Sequence, residues 1–273
     1  SLHLYGELWA NGSILVDQPQ AYIDFDAKST TSSVTVSKGT VFGDAYYCTG
    51  TPPDNVAGQE LQTCGLGPPP TNPFPQIQYY PDLWADAGYF LLTPFTGATA
   101  CTLAKAYVEG TAAGTFQGGL GVPAGYSGVV VYIDSTCTYT SSNNATISLG
   151  KDLAVITKGS VNLSQRSSWN GVGSMRNLHL MSPWPSTGSP SCPTQNITVG
   201  NNTSFNSLVR TFVYTPCTAT MLNNNSAFQG QVVGTNVVIG NLFNMTYKPI
   251  FVPGADIVGF EQDIAYIREV QSP

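Results

Sequence analysis

Short apolar or alternating runs, separated by turn residues, recur along almost the whole chain, and this rhythm limits the fold more than any other feature. Residues 2–9, 13–16, 21–25 and 34–36 read as strands. Asn11-Gly12, Gln18-Pro19, residues 29–33 and Lys38-Gly39 are the turns between them. After a Gly-rich stretch at 110–128, strands return at 128–133, 145–149, 153–156 and 160–163. A new strand roughly every eight to twelve residues points to a sandwich, a barrel or a solenoid. The near-regular pitch in the middle of the chain favours consecutive turns of a solenoid. The expected fold is mostly β, a right-handed β-solenoid-like or stacked β architecture, as a single extracellular β domain over 1–273. At 273 residues the chain is long enough for one large domain.

Two segments break the rhythm. Residues 49–78 hold Pro52-Pro53, Pro68-Pro69-Pro70, Pro73 and Pro75, which do not fit central strands. A Pro-rich surface excursion is expected there, pinned at its base by Cys48 and Cys64. Residues 81–110 give the helical signal and are expected as a small helical insertion. Pro81-Asp82 opens one short helix and Gly88 closes it. A second runs over 102–109, with Leu103, Ala106 and Tyr107 on one face and Gly110 as its stop.

Asn pairs repeat at 143–144, 201–202 and 224–225, each followed two residues on by a small residue and then an apolar one. Asn tolerates the left-handed backbone conformation and bonds its own backbone, so the pairs are expected at corners between strands.

Six cysteines, Cys48, Cys64, Cys101, Cys137, Cys192 and Cys217, lie outside any Cys-x-x-Cys pair, and the chain has two histidines. That spacing does not suit zinc. Pairing of chain neighbours, Cys48 with Cys64, Cys101 with Cys137 and Cys192 with Cys217, is the cheapest of the fifteen arrangements that six cysteines allow. Disulfides place the chain in an oxidising compartment. Charged residues are 10% of the chain, against about 25% in ordinary domains, and the net charge is −6. A protein that coats nucleic acid is expected to be basic. No apolar run is long enough to span a membrane. Ser1 opens directly in strand-like sequence, so a leader or anchor is expected to precede it.

Residues that could do chemistry are few. Asp24 and Asp26 alternate on a predicted strand and form the best carboxylate pair. They make at most a structural Ca²⁺ site; a solvated polar face is the simpler expectation, and no other cofactor is expected. His3 lies near the terminus, and His179, in an alternating strand, is expected on its polar face rather than as a catalytic base. No phosphate-binding Gly motif or nucleophile elbow occurs. Tyr79, Tyr80, Trp84, Trp169 and Trp184 fall in or near loops and are the candidate ligand-stacking residues, with packing as the plainer role. Asn-x-Ser/Thr occurs at Asn11, Asn144, Asn162, Asn196, Asn201, Asn202, Asn224 and Asn244. Composition alone generates many of these, so functional glycosylation is not expected.

Leu83–Tyr89, Asn143–Thr157, Phe212–Ala219, Phe228–Val232, Val252–Gly254 and Gly259–Val270 together resemble the extracellular region of large prepilin-like proteins of bacterial type IV pilus systems. The resemblance covers roughly residues 80–270 and implies a β-solenoid-like ectodomain. It also implies membrane attachment only through an N-terminal hydrophobic helix, which this chain lacks, and it brings no catalytic residue. The expected role is a non-enzymatic, cell-surface appendage component that serves pilus assembly or adhesion and binds other pilin subunits or surface proteins. The rival is a carbohydrate-active or carbohydrate-binding β-helix protein. DNA capture at a pilus tip, through Lys151, Lys158 and Arg166, is a third reading that the net charge disfavours.

Overall fold

Among the described residues every strand pair is parallel, most of them joining a strand to the one a circuit later. The computed structural model describes residues 2–4, 8–10, 12–17, 19, 21–67, 75–110, 122–163, 166–192, 194–222, 228–240 and 245–255. Among the described residues are 23 strands and two helices, so the chain is mostly β, as its rhythm predicts.

The first group of strands is β1 (Leu2–Leu4), β2 (Leu8–Ala10), β3 (Ile14–Val16), β4 (Ala21–Ile23), β5 (Ala27–Ser29), β6 (Val34–Val36), β7 (Thr40–Val41), β8 (Ala45–Tyr47) and β9 (Glu60–Gln62). They form three sheets: β1-β4-β7, β2-β5-β8-β9 and β3-β6. Leu2 faces Ala21, Leu8 faces Ala27 and Ile14 faces Val34, so three strands make one circuit. Alternation turns every second side chain inward. Ile14, Val16, Ala21, Ile23, Ala27, Val34, Val36, Val41, Ala45 and Tyr47 fill the enclosed core. The Pro-rich segment is not wholly an excursion, because residues 60–62 add β9 to a sheet and Val56 bridges Val41. Residues 68–74 lie outside the described residues.

Strands this short leave many corner amides without ladder partners. Side chains of the neighbouring circuit supply them. The Asp44 amide donates to Asp26 Oδ1 at 2.9 Å, and the Gln59 amide donates to Asp44 Oδ1 at 2.8 Å. The same device thus repeats one circuit on. At the residue before each Asp or Gln, the circuits approach closely. A Cβ on Gly43 would sit 2.5 Å from the Phe25 carbonyl carbon, and one on Gly58 would sit 2.5 Å from the Gly43 oxygen.

The second group begins with helix α1 (Pro81–Asp86), β10 (Tyr89–Leu91), β11 (Phe95–Thr96) and helix α2 (Ala100–Glu109). Then follow β12 (Gly128–Asp134), β13 (Tyr139–Thr140), β14 (Thr146–Leu149), β15 (Asp152–Thr157), β16 (Val161–Leu163), β17 (Ser168–Gly171), β18 (Arg176–Met181), β19 (Ile197–Val199), β20 (Ser204–Phe205), β21 (Val209–Met221), β22 (Phe228–Ile239) and β23 (Met245–Tyr247). Three columns result. β10, β12, β15 and β18 stack in the first, β13, β16 and β19 in the second, and β14, β17 and β20 in the third. The long strand β21 pairs with β18 through its first half and with β19 through its second. It thereby joins two columns into one eleven-stranded sheet, curled like half a barrel. The turn is made at Pro216, where the β21–β22 register shifts between Thr215 and Thr218. Proline has no N–H to offer a ladder, so a bulge is where a strand can hold one.

The first column is apolar on both faces. Val129, Val131, Leu153, Val155, Leu178 and Leu180 point into the enclosed core. Val130, Ala154, Ile156, Met181, Phe212 and Tyr214 point outward and are covered by Ile77, Trp84 of α1, Ile250 and Val252. Parallel strands buried on both faces read as continuous apolar runs, as at 128–133.

The corners between second and third columns show why Asn recurs. Asn144 and Asn202 adopt φ of 59° and 58°. Arg166 stands at the equivalent place between them with φ of 64°. All three lie two residues before strands that pair in register at Thr146, Ser168 and Ser204. The third Asn pair lies outside the described residues.

Helix α2 starts at Ala100 rather than 102 and ends on Gly110 in the left-handed conformation. Its buried stripe is Ala100, Ala104 and Val108, while Leu103 is exposed. The predicted face was therefore rotated. The Cys101–Cys137 bridge ties the helix to the turn after β12 and fixes which side faces the sheet. Cys48–Cys64 and Cys192–Cys217 complete the three expected bridges. Loops of 16, 36 and 25 residues are closed. In the chain-entropy account each bridge destabilises the unfolded state by roughly 3–4 kcal/mol. Three disulfides indicate an oxidising, extracellular environment. No described helix is long and apolar enough to cross a membrane.

Gly43→Ala is expected to lower stability in equilibrium urea unfolding by about 1–3 kcal/mol, because the methyl meets backbone. Gly67→Ala, with nothing within 4 Å of the new methyl, is the control and should stay within about 0.5 kcal/mol. Equal stability of the two variants would contradict the close approach of circuits.

Candidate functional site

The candidate aromatic residues divide by burial. Trp84 and Trp169 are completely buried, so neither offers a ring to a ligand. Trp169 packs in the core between Ile147 and Phe205 of adjacent circuits and donates its indole N–H to Ser167 Oγ at 3.3 Å. Trp84 meets Tyr89 and His179 edge-on, with ring centroids 5.0 and 5.1 Å apart. Its helix has one buried side chain, and Trp84 is that one.

Tyr79, Tyr80 and Trp184 remain accessible, on the cover over the outer face of the curled sheet. Tyr79 is half-buried against Tyr132 with centroids 4.5 Å apart, and burial pushes its phenol up to about 12. The Trp184 amide donates to the Ile77 carbonyl at 2.8 Å, which joins residues 183–185 to the same cover. Tyr80 is 47% exposed. Tyr80 and Leu83 sit above Gly254, where a Cβ would lie 3.3 and 3.0 Å from their side chains. Phe251, three residues before Gly254, is 63% exposed. Leu83 and Phe251 were not singled out from the sequence, because the exposure of a single apolar residue leaves no periodic signal.

A second exposed apolar face lies on the first group of strands. Tyr22 and Phe42 stack with centroids 5.8 Å apart, and Phe25 and Phe42 are exposed. Beside it, Lys28 lies over the rings of Trp9 and Tyr46, 5.4 and 5.3 Å from their centroids. Trp9, Lys28 and Tyr46 are in register on successive circuits, which makes the contact a ladder across β2, β5 and β8.

Asp26, Asp44, Asp152 and Glu109 accept backbone amides. Strand β4 ends at Ile23, so Asp24 and Asp26 occupy a corner rather than one strand face. Asp26 accepts the Asp44 amide and pairs with Lys28 at 3.1 Å. Asp17 accepts from the Ser37 hydroxyl and pairs with Lys38, and both interactions hold its carboxyl below the usual range. Asp152 Oδ1 accepts the Asn177 amide at 3.0 Å, while its Oδ2 accepts the Asn177 side-chain amide at 2.9 Å and the Tyr89 hydroxyl at 3.4 Å. No group of three or more metal-type ligands occurs among the described residues. The cations are likewise distributed. Lys158 pairs with Asp134, Lys151 donates to the Tyr126 carbonyl, and Arg166 stands at a different corner of the same circuit.

His179 corrects the sequence expectation most sharply. It is fully buried rather than on a polar face. Its Nε2–H donates to the Phe251 carbonyl at 3.0 Å, and Trp84, Tyr89 and Phe212 surround its ring. Burial lowers its pKa, opposed by the Phe251 hydrogen bond and the charge of Asp152. The imidazole therefore ties the 248–255 segment to the sheet in its neutral form.

Compared with protein-family models, with curated proteins and with solved structures, the chain matches none.

The His179 environment predicts a pH dependence. A folded pKa below the ordinary value means that the unfolded chain binds a proton first as pH falls through about 6.5. The stability advantage of the wild type over His179→Phe should shrink between pH 7 and pH 5, read by urea unfolding. Parallel profiles for the two proteins would contradict a neutral buried imidazole.

Proposed function

We propose that the chain is a non-enzymatic extracellular module, a right-handed β-solenoid-like component of a surface appendage of the pilin-like kind. It meets other subunits or surface proteins through its exposed aromatic faces. The observation that carries this reading is the circuit-on-circuit parallel pairing, in which side chains of one circuit hold the backbone of the next. Such a stack is quasi-one-dimensional, and its stability rests on nearest-neighbour contacts, which suits an extended structural part. The disulfides support an extracellular setting. The commitment of Asp26, Asp44, Asp152 and Glu109 to backbone N–H groups supports a structural use of the carboxylates rather than acid–base chemistry. Net charge of −6, with Lys158 paired to Asp134, supports protein partners over DNA.

Carbohydrate binding is the second reading, favoured by the exposed Tyr80 beside Tyr79 on the outer cover. In it the rings stack on sugar faces without turnover.

Appendages sheared from native cells, probed with antibody to this chain, should contain it, and labelled filaments should be visible by electron microscopy. A chain found in the cytosol would sink the proposal. Sustained product release from a panel of polyuronates and neutral glycans would overturn the non-enzymatic part. Saturable glycan binding that weakens at least tenfold in Tyr80→Ala, with no chain in the sheared fraction, would promote the second reading.

A further inference from the structure

We propose that Asn144 is a site of covalent N-linked glycosylation, against the expectation that composition alone explains the Asn-x-Ser/Thr tripeptides. Asn144-Ala145-Thr146 lies at a corner held from both sides. Glu109, the last residue of α2, accepts the Ser142 amide through Oε1 at 2.6 Å and the Ser142 hydroxyl through Oε2 at 2.8 Å. The Ala145 amide donates to the Ser142 carbonyl at 3.2 Å, and the Ala145 carbonyl accepts the Ser168 amide of the next circuit at 2.7 Å. Between these anchors Asn143 and Asn144 are exposed, with Asn144 at φ 59°. Thr146 is exposed at an outward position of β14. Both side chains that define the acceptor tripeptide thus face solvent from a fixed turn.

The other described tripeptides each lack part of this arrangement. Thr203, which follows Asn201, is completely buried. Ser204, which serves Asn202, donates its hydroxyl to Ser168 Oγ at 2.9 Å. Asn196 Oδ1 accepts the Thr218 amide at 3.1 Å. Asn162 lies within β16, half-buried between Thr140 and Thr198. Asn11, Asn224 and Asn244 lie outside the described residues.

Two independent features point the same way. The chain has 18 Asn and 53 Ser plus Thr among 273 residues. Random order would give 18 × 53/273, about 3.5 acceptor tripeptides, and the sequence holds eight. Its surface is also poor in charge while exposing Leu15, Phe25, Phe42, Val172 and Phe251. Charge is the usual means of keeping such a surface soluble. Sugar hydroxyls hydrate it without charge.

The donor class is an oligosaccharide linked to a lipid phosphate. Asn144 Nδ2 forms a bond to the sugar C1 as the C1–O bond to phosphate breaks. The lipid phosphate leaves with the electron pair, and one Nδ2 proton passes to a base of the transferase. Asn144 becomes a secondary amide and keeps its carbonyl.

The test uses protein from its native cells, with peptide mass spectrometry that preserves glycans. The peptide bearing Asn144 should carry a discrete added mass of whole sugar residues, localised to Asn144. Produced in the same cells, Thr146→Ser should keep that mass, while Thr146→Ala and Asn144→Gln should lose it with the three disulfides intact. An unmodified Asn144 peptide from the native protein overturns the proposal. So does an added mass that persists in Thr146→Ala.

Discussion

A hydrogen bond donated by a backbone amide of one circuit to a side-chain oxygen of the neighbouring circuit is the interaction on which this structure depends. Apart from β12, β21 and β22, the described strands are two to six residues long and leave a large share of the backbone in corners, where no ladder reaches it. A buried or half-buried amide left unpaired costs about 1–3 kcal/mol, so corners without partners would unravel a stack this slight. Asp26 serves Asp44, and Asp44 serves Gln59. In the larger group, Asp152 serves Asn177, Asn196 serves Thr218, and Asn206 Oδ1 takes the amides of both Gly171 and Leu208. Short Asx side chains are suited to this because their oxygens sit within one residue's reach of a neighbouring backbone.

This arrangement explains the composition and narrows the chemistry. Asp and Asn are needed at corners, Gly where circuits touch, and apolar residues at alternate strand positions. The curled sheet adds a second constraint, since its outer face is as apolar as its inner one and must be covered. Trp84 and the neutral His179 lock that cover down.

Much of this organisation was legible in the sequence. Strand rhythm gave the β class because two-residue alternation and turn residues are local signals, and neighbour pairing of the six cysteines matched the structure because the bridges close short loops. The Asn corners at 144 and 202 were legible because Asn tolerates positive φ. Arg166, their equivalent, was not, since the long Arg side chain has no such preference and the circuits differ in length, 22 residues and then 36. Packing of Trp84 and Trp169 was the plainer expectation and holds, but the burial of His179 was hidden. Trp84 and His179 meet where α1 and residues 250–252 cover the sheet, while Trp169 lies inside the stack between Ile147 and Phe205, and no local pattern records either environment. The Asp24–Asp26 alternation misled because β4 stops at Ile23, one residue before the pair.

Amide hydrogen exchange at single-residue resolution tests the central claim most directly. The amides of Asp44 and Gln59 lie outside the strand ladders, yet each is held by a carboxylate of the adjacent circuit. They should exchange as slowly as the ladder amide of Tyr46, and Asp44→Ala should release Gln59 while leaving the Asp44-position amide protected by Asp26. Exchange of both amides at open-loop rates in the wild type would contradict the account.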